Sequence, residues 1–213
     1  MALPSTWRAK HTMNLFLNCS GRSLANELKW LNEPAAWNFT AEGLFVEPDG
    51  KTDVFRKHGY PAKDTACFLY TEVSGDFSLT ANLKMEGTAF GDAGAITIRR
   101  DEQMWAKLCV ERSPAGETSI VSVVTNPWSD DANNELLGTP EAYLRITRID
   151  NLIGMHYRAS GDAWRFVRAF GLDWPSVVKV GFQAQAPVQS GCRVYCKQLI
   201  LSKDVVRDFR GGK

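Results

Sequence analysis

Phe77 to Met85 reads FSLTANLKM. Phe77, Leu79, Ala81, Leu83 and Met85 fall on one side of an extended chain and Ser78, Thr80, Asn82 and Lys84 on the other, because successive strand side chains point to opposite faces. One face is dry and the other wet, which is the pattern of a half-buried strand. The same rhythm recurs outward in both directions: AWNFT, GLFVE and ACFLYTEV before it, then AGAITIRR, QMWAKLCVER, TSIVSVVT, AYLRITRI, LIGMHYRA, AWRFVRAF, VVKVGFQAQA and CRVYCKQLIL. Turn signals separate these runs, among them Ala41-Glu42-Gly43, Gly75-Asp76, Pro114-Ala115-Gly116, Asp150-Asn151 and Ser160-Gly161-Asp162. Short period-two strands joined by tight turns, with no helical period between them, predict an all-β, two-sheet antiparallel sandwich rather than a parallel α/β sheet.

The 213 residues, 44% of them hydrophobic, suffice for one domain with a sizeable core. The spacing of Leu24, Leu28 and Leu31 after Ser23 predicts a short N-terminal helical segment over Ser23–Leu31, capping one end of the sandwich. The expected organisation is an extension over residues 1–29 packed on the sandwich, the sandwich over 30–203, and a tail over 204–213 that ends frayed. Net charge is +1, so no broad basic field draws nucleic acid or anionic membrane. The apolar run Met13 to Leu17 is too short for a signal or a span. Five cysteines, Cys19, Cys67, Cys109, Cys192 and Cys196, are odd in number and sit mostly in strand patterns, which points to a reducing, cytoplasmic setting. Neither they nor His11, His58 and His156 show metal-ligand spacing, so no metal is expected.

Several longer stretches carry a family resemblance. WLNEPAAWNFTAEGLFVEPDGKTDVFRKHGYPAKDTACFLYTEVSGDFSL, then FGDAGAITIRRDEQMWAKLCVERSPAGETSIVSVVT, resemble the domain-of-unknown-function family named for regulation of enolase, within the concanavalin A-like lectin/glucanase superfamily. Its most specific pieces here are Thr52-Asp53 through His58, the Asp92-Ala93-Gly94 turn, and the Asp101, Trp105, Lys107, Glu111 spacing leading to Val124-Thr125. The resemblance implies a jelly roll with a concave and a convex sheet, and no established reaction. One departure is visible: the family follows its Val-Thr pair with Ser-Asp-Trp-Ser, whereas this chain reads Asn126-Pro127-Trp128-Ser129-Asp130-Asp131.

Alternation in QMWAKLCVER sends Met104, Ala106, Leu108 and Val110 to the core and Gln103, Trp105, Lys107, Cys109 and Glu111 to the opposite face. AGAITIRR adds Thr97 and Arg99 to that second face. A sheet face bearing Trp, Arg, Lys and Glu offers stacking and fixed hydrogen bonds to a polar ligand. The expected ligand-binding set is Asp53, Arg56, His58, Arg99, Trp105, Lys107, Glu111, Thr125 and Trp128, with the polar stretch TDVFRKHGYP, Thr52 to Pro61, edging the groove and His58 facing the ligand. The Ser160 to Arg168 segment reads as a hairpin in which Asp162 bonds turn backbone and Trp164 covers the turn.

Two functions of different class follow. One is a binding module whose concave face holds a saccharide or another small polar ligand. The alternative is a cofactor-independent small-molecule enzyme in which His58, Glu111 and Lys107 serve as catalytic acid/base and electrostatic groups. A further alternative, a protein-interaction module for a metabolic enzyme, comes from the family's name alone. The chain has no Gly-X-Ser-X-Gly elbow and no strand with the Glu-X-Asp-X-Glu acids of the superfamily's β-glucanases, so it is not read as such a hydrolase. No dinucleotide or phosphate-loop fingerprint is present, and no cofactor is expected; the oligomeric state is left open by the sequence.

Overall fold

The structure, a computed structural model, describes residues 12–159, 161 and 163–213. Seventeen strands follow in chain order among those residues: β1 (Thr12–Asn14), β2 (Lys29–Leu31), β3 (Ala36–Thr40), β4 (Gly43–Glu47), β5 (Val54–Phe55), β6 (Lys63–Asp64), β7 (Cys67–Ser74), β8 (Phe77–Glu86), β9 (Ala93–Arg99), β10 (Trp105–Arg112), β11 (Thr118–Thr125), β12 (Ser129–Leu136), β13 (Glu141–Ile149), β14 (Leu152–Arg158), β15 (Arg165–Gly171), β16 (Val177–Gln185) and β17 (Arg193–Ser202). One large sheet runs β15-β14-β13-β8-β17-β4-β3 with β1 added beside β17; the other runs β12-β11-β10-β9-β16-β7-β2. All pairings are antiparallel, and β5 and β6 form a separate small hairpin.

The alternation of β8 is realised. Phe77, Leu79, Ala81, Leu83 and Met85 are each no more than 1% exposed and join the core between the sheets, facing Ile96, Ile98, Leu108 and Val110 of the other sheet. Burying each of the four large ones, Phe77, Leu79, Leu83 and Met85, contributes about 1.5–3 kcal/mol, which is why the period-two reading fixes the architecture. Gly181 of β16 lies against the backbone of Leu69 in β7, where a Cβ would overlap the Leu69 carbonyl oxygen. Only glycine lets these two strands approach so closely.

The expected helix over Ser23–Leu31 is absent. Leu28 closes a turn onto the Ala25 carbonyl, and Lys29–Leu31 then runs as an edge strand against Phe68–Tyr70. Leu28 is buried, but Trp30 packs against Trp37, and the sheet edge supplies backbone partners that a two-turn helix would leave to water. The C-terminal residues are not frayed: Val206 is buried, and the Phe209 ring lies over Gly154 of β14. His11, Ser160 and Asp162 lie outside the described residues, so the expected turn role of Asp162 does too. Trp164 does not sit over a turn alone; Arg145 and Arg158 stack on its ring. The five cysteines are unpaired, and among the described residues no helix is long and apolar enough to cross a membrane.

Candidate functional site

The seven-stranded sheet has two apolar faces. Its inner face belongs to the core, while Ala93, Ala95, Trp105, Cys109, Val121 and Val123 on the outer face form a second, smaller cluster with Val54 and Ala66. Residues 52–66 therefore act as a roof, and Val54 is the apolar pin that seats it. The roof is tied down along its length. Thr52 bridges to Ala186, Asp53 accepts at its carbonyl from the Thr65 and Ala66 amides, and Asn32 donates to the carbonyls of Asp64 and Ala66. Asp64 meets the Arg99 guanidinium bidentately, both contacts at 2.7 Å. The Arg56 amide donates to Ser129 Oγ, its carbonyl accepts from the Ser129 amide, and its Nε donates to the Pro127 carbonyl at 2.9 Å.

A cleft of about 300 Å³ opens beside this roof. Lys107, Glu111, Val123, Asp131 and Gln185 line it from the sheet, Asp53, Phe55 and Lys63 from the roof, and Phe90, Gly91, Pro187 and Val188 from the opposite loops. Lys107 is 2% exposed, yet its ammonium is held by neutral acceptors, the Val54 carbonyl at 3.1 Å and Gln185 Oε1 at 2.7 Å. A polar chain runs behind it: Thr97 donates to Gln183, Gln183 to Gln185, and Gln185 in turn to the Gly91 carbonyl. Such a chain fixes the ammonium in one place, because a buried polar group keeps its partners or forfeits stability. Asp53 faces Lys63 at 3.2 Å.

Burial pushes the Glu111 carboxyl up to about 7; Lys107 opposes the rise, and Asp131 and Asp53 add to it. Asp131, at the exposed rim, is also raised, first by desolvation, with Lys107 opposing and Asp130 and Asp53 adding. Burial likewise raises the Cys109 thiol. That leaves Cys109 a neutral wall rather than a nucleophile.

Three of the expected site residues, Asp53, Lys107 and Glu111, thus meet at the cleft. The others go elsewhere. Arg99 is committed to Asp64, Trp105 is buried under the roof, and Thr125 bonds Ser129 at 2.8 Å. Arg56, His58 and Trp128 form an external clasp, with the His58 and Trp128 rings 4.8 Å apart and the Arg56 guanidinium 5.8 Å from the Trp128 ring. Sequence reading passed over Gln185, Asp131, Lys63, Phe55 and Phe90. A signal existed for Gln185: in VGFQAQ, Phe182 and Ala184 enter the core, so Gln183 and Gln185 must face outward together. For Asp131 there was none, since SDDANNEL has no apolar alternation.

Two sandwiched antiparallel sheets with a roofed polar cleft on one outer face define a lectin-like β-sandwich. Residues 30–203 match the family described as "Protein of unknown function (DUF1349)", and the chain belongs to that family. It is 28% identical over 169 residues to "Regulation of enolase protein 1" of Saccharomyces cerevisiae, covering 78% of this chain and 84% of the relative. A solved structure of a functionally unknown protein from Saccharomyces cerevisiae superposes with a TM-score of 0.73 at 26% identity, over 83% of this chain and 94% of that one. The metal-free lectin I-B4 of Griffonia simplicifolia shares the fold at a TM-score of 0.59 and 13% identity, over 90% of this chain and 98% of that one.

Proposed function

We propose that the cleft beside the 52–66 roof binds a saccharide or another small polar ligand. The observation that carries this reading is the fixed polar floor, Lys107 backed by Gln185 and flanked by Glu111 and Asp131, opening between the apolar rings of Phe55 and Phe90. Polar groups held in place orient a ligand's hydroxyls, and aromatic rings take its apolar faces. The lectin fold of the Griffonia protein is consistent with that use. Five unpaired thiols support a reducing, cytoplasmic setting.

A thermal-shift screen of mono- and oligosaccharides and small polyols tests it. A ligand at about 100 times its dissociation constant adds roughly 2.7 kcal/mol, about 5–10 °C for a chain of this size. The shift should vanish in Asp131→Asn and Phe90→Ala, both on exposed positions, without loss of the free protein's melting temperature. A shift that survives both substitutions places the ligand elsewhere.

One observation favours a second reading. A carboxyl titrating at about 7 beside a buried ammonium, as Glu111 stands to Lys107, suits general acid/base chemistry near neutrality. Its test is turnover of any screened ligand that loses its neutral-pH dependence in Glu111→Gln. A docking role toward a metabolic enzyme takes its support from the name of the yeast relative and stands behind both.

A further inference from the structure

We propose that the outer face of the eight-stranded sheet carries a separate site for a phosphate-type oxyanion, formed by Arg145 of β13 and Arg158 of β14 around Trp164. Three arginines are buried among the described residues, and they differ in what neutralises them. Arg99 has Asp64 in a bidentate pair. Arg148 lies in the field of Asp76 and Asp150 and donates to the carbonyls of Asp150 and Pro175. Arg145, 8% exposed, has no carboxylate partner among the described residues; the charge that bears on it is a second cation, Arg158. A buried charge set beside a like charge is costly until a counter-charge arrives.

The arrangement of the two guanidiniums suits an anion. Arg145 lies 4.1 Å and Arg158 4.8 Å from the centre of the Trp164 ring, and Arg158 also lies 4.7 Å from the Tyr143 ring. Stacking engages the face of a guanidinium and leaves its N–H edge to hydrogen-bond in plane. Among the described residues those edges are underused: Arg145 donates once, from Nη2 to the Gly212 carbonyl at 3.0 Å, and the Nε atoms of both residues are buried without an acceptor. Among the described residues, the neighbours of this pair are engaged elsewhere. His156, opposite Arg145 in register, donates Nε2 to the Phe209 carbonyl at 2.6 Å, and Arg210 stacks on Phe166. Asp208, the acid of the neighbouring tail, accepts from the Gly211 amide and bears on His156 rather than Arg145. Two forked donors whose charges have no carboxylate paired to them among the described residues match a dianion with several acceptor oxygens better than a monovalent spherical ion.

The Nε–Hε resonances of Arg145 and Arg158 report on this directly. Inorganic phosphate titrated into the full chain at constant ionic strength should move both resonances along saturable curves, while sodium chloride at the same ionic strength should not. Glucose 6-phosphate, as a parallel arm, separates a preference for the free anion from one for a phosphate monoester; saturation by either supports the site. Arg158→Gln, at a partly exposed position that spares the buried Arg145, should weaken phosphate about tenfold or more, as expected for losing a charge-assisted donor. Arg158→Lys should recover only part of that loss, since the charge returns without the fork. Equal movement in chloride, no movement with either phosphate or glucose 6-phosphate, or unchanged affinity in Arg158→Gln would each overturn the proposal.

Discussion

Asp64→Asn removes the charge that holds the roof hairpin to β9. The pair it breaks is bidentate, with both N–O distances 2.7 Å; the Arg99 side chain is 8% exposed and that of Asp64 34%. Deleting one partner of a fully buried ion pair costs about 3–5 kcal/mol, because the other charge stays desolvated and alone. The partial exposure of Asp64 lets water take up some of the loss, which brings the expectation to about 2–3 kcal/mol, or a melting temperature lower by about 5–10 °C. Urea denaturation with linear extrapolation measures it. The orphaned Arg99 charge also fixes the sign of a second change. Adding Arg99→Met to Asp64→Asn removes the orphaned charge and keeps an apolar stem in its place, so the double variant should regain about 1–2 kcal/mol over Asp64→Asn alone. A loss below about 0.5 kcal/mol in Asp64→Asn, or a double variant whose losses simply add, would refute the view that this pair anchors the roof.

Glu111 binds its proton more tightly folded than unfolded, so the native state loses stability as pH rises from about 4.5 to 7 and no more above that; Glu111→Gln should flatten this descent, measured as melting temperature against pH. Burial is the largest cause of the shift, and Asp131 and Asp53, which add to it, are coupled to Glu111, so the difference between the two curves reports Glu111 together with their response to its charge. His58→Ala removes an exposed ring contact with Trp128 and nothing that lines the cleft, so stability should fall by about 0.5–1 kcal/mol while any ligand-induced shift persists; a lost shift would return His58 to the site. Gly154→Ala would set a Cβ 2.7 Å from the Phe209 ring, so the C-terminal segment should lift and become cleavable by protease within residues 207–213. Unchanged protection would mean that Phe209 has room to move aside.

The long strands were legible because each puts an apolar row into one core. β8, β10 and β13 show it most clearly, and their registers follow from which row is dry. What escaped reading obeys other physics. The Ser23–Leu31 helix was expected from three leucines at helical spacing, but the free edge of β7 offers Trp30 and Leu31 backbone partners, and burial of Leu28 needs no helix. β12 is polar on both faces because it is an edge strand; Glu135 and Asp130 meet Arg165 and Arg168 across the open side of the sandwich. A strand held by charges at its edge has no dry row to announce it.

The cleft itself was half visible for a related reason. Alternation along β10 places Lys107 and Glu111 on the outer face without further information, but it cannot say what stands above them. The stretch from Thr52 to Pro61 supplies that cover, and its composition follows from the task. Val54, with Phe55 beside it, seats the roof on Trp105 and Cys109, while Asp53 is polar because it closes the roof on itself through Lys63 and Arg56 because its side chain ties the roof to the Pro127 carbonyl. Chemistry-bearing side chains in such a segment divide between those that fasten it and those that face the space it encloses. Asp53 does both, since it holds Lys63 and lines the cleft. His58 and Arg56 face outward to Trp128, so their richness in functional groups reflects fastening. Distinguishing the two requires knowing where the chain crosses the sheet, and that crossing is fixed by Asp64 on Arg99 and Thr52 on Ala186, contacts 35 and 134 residues apart in sequence.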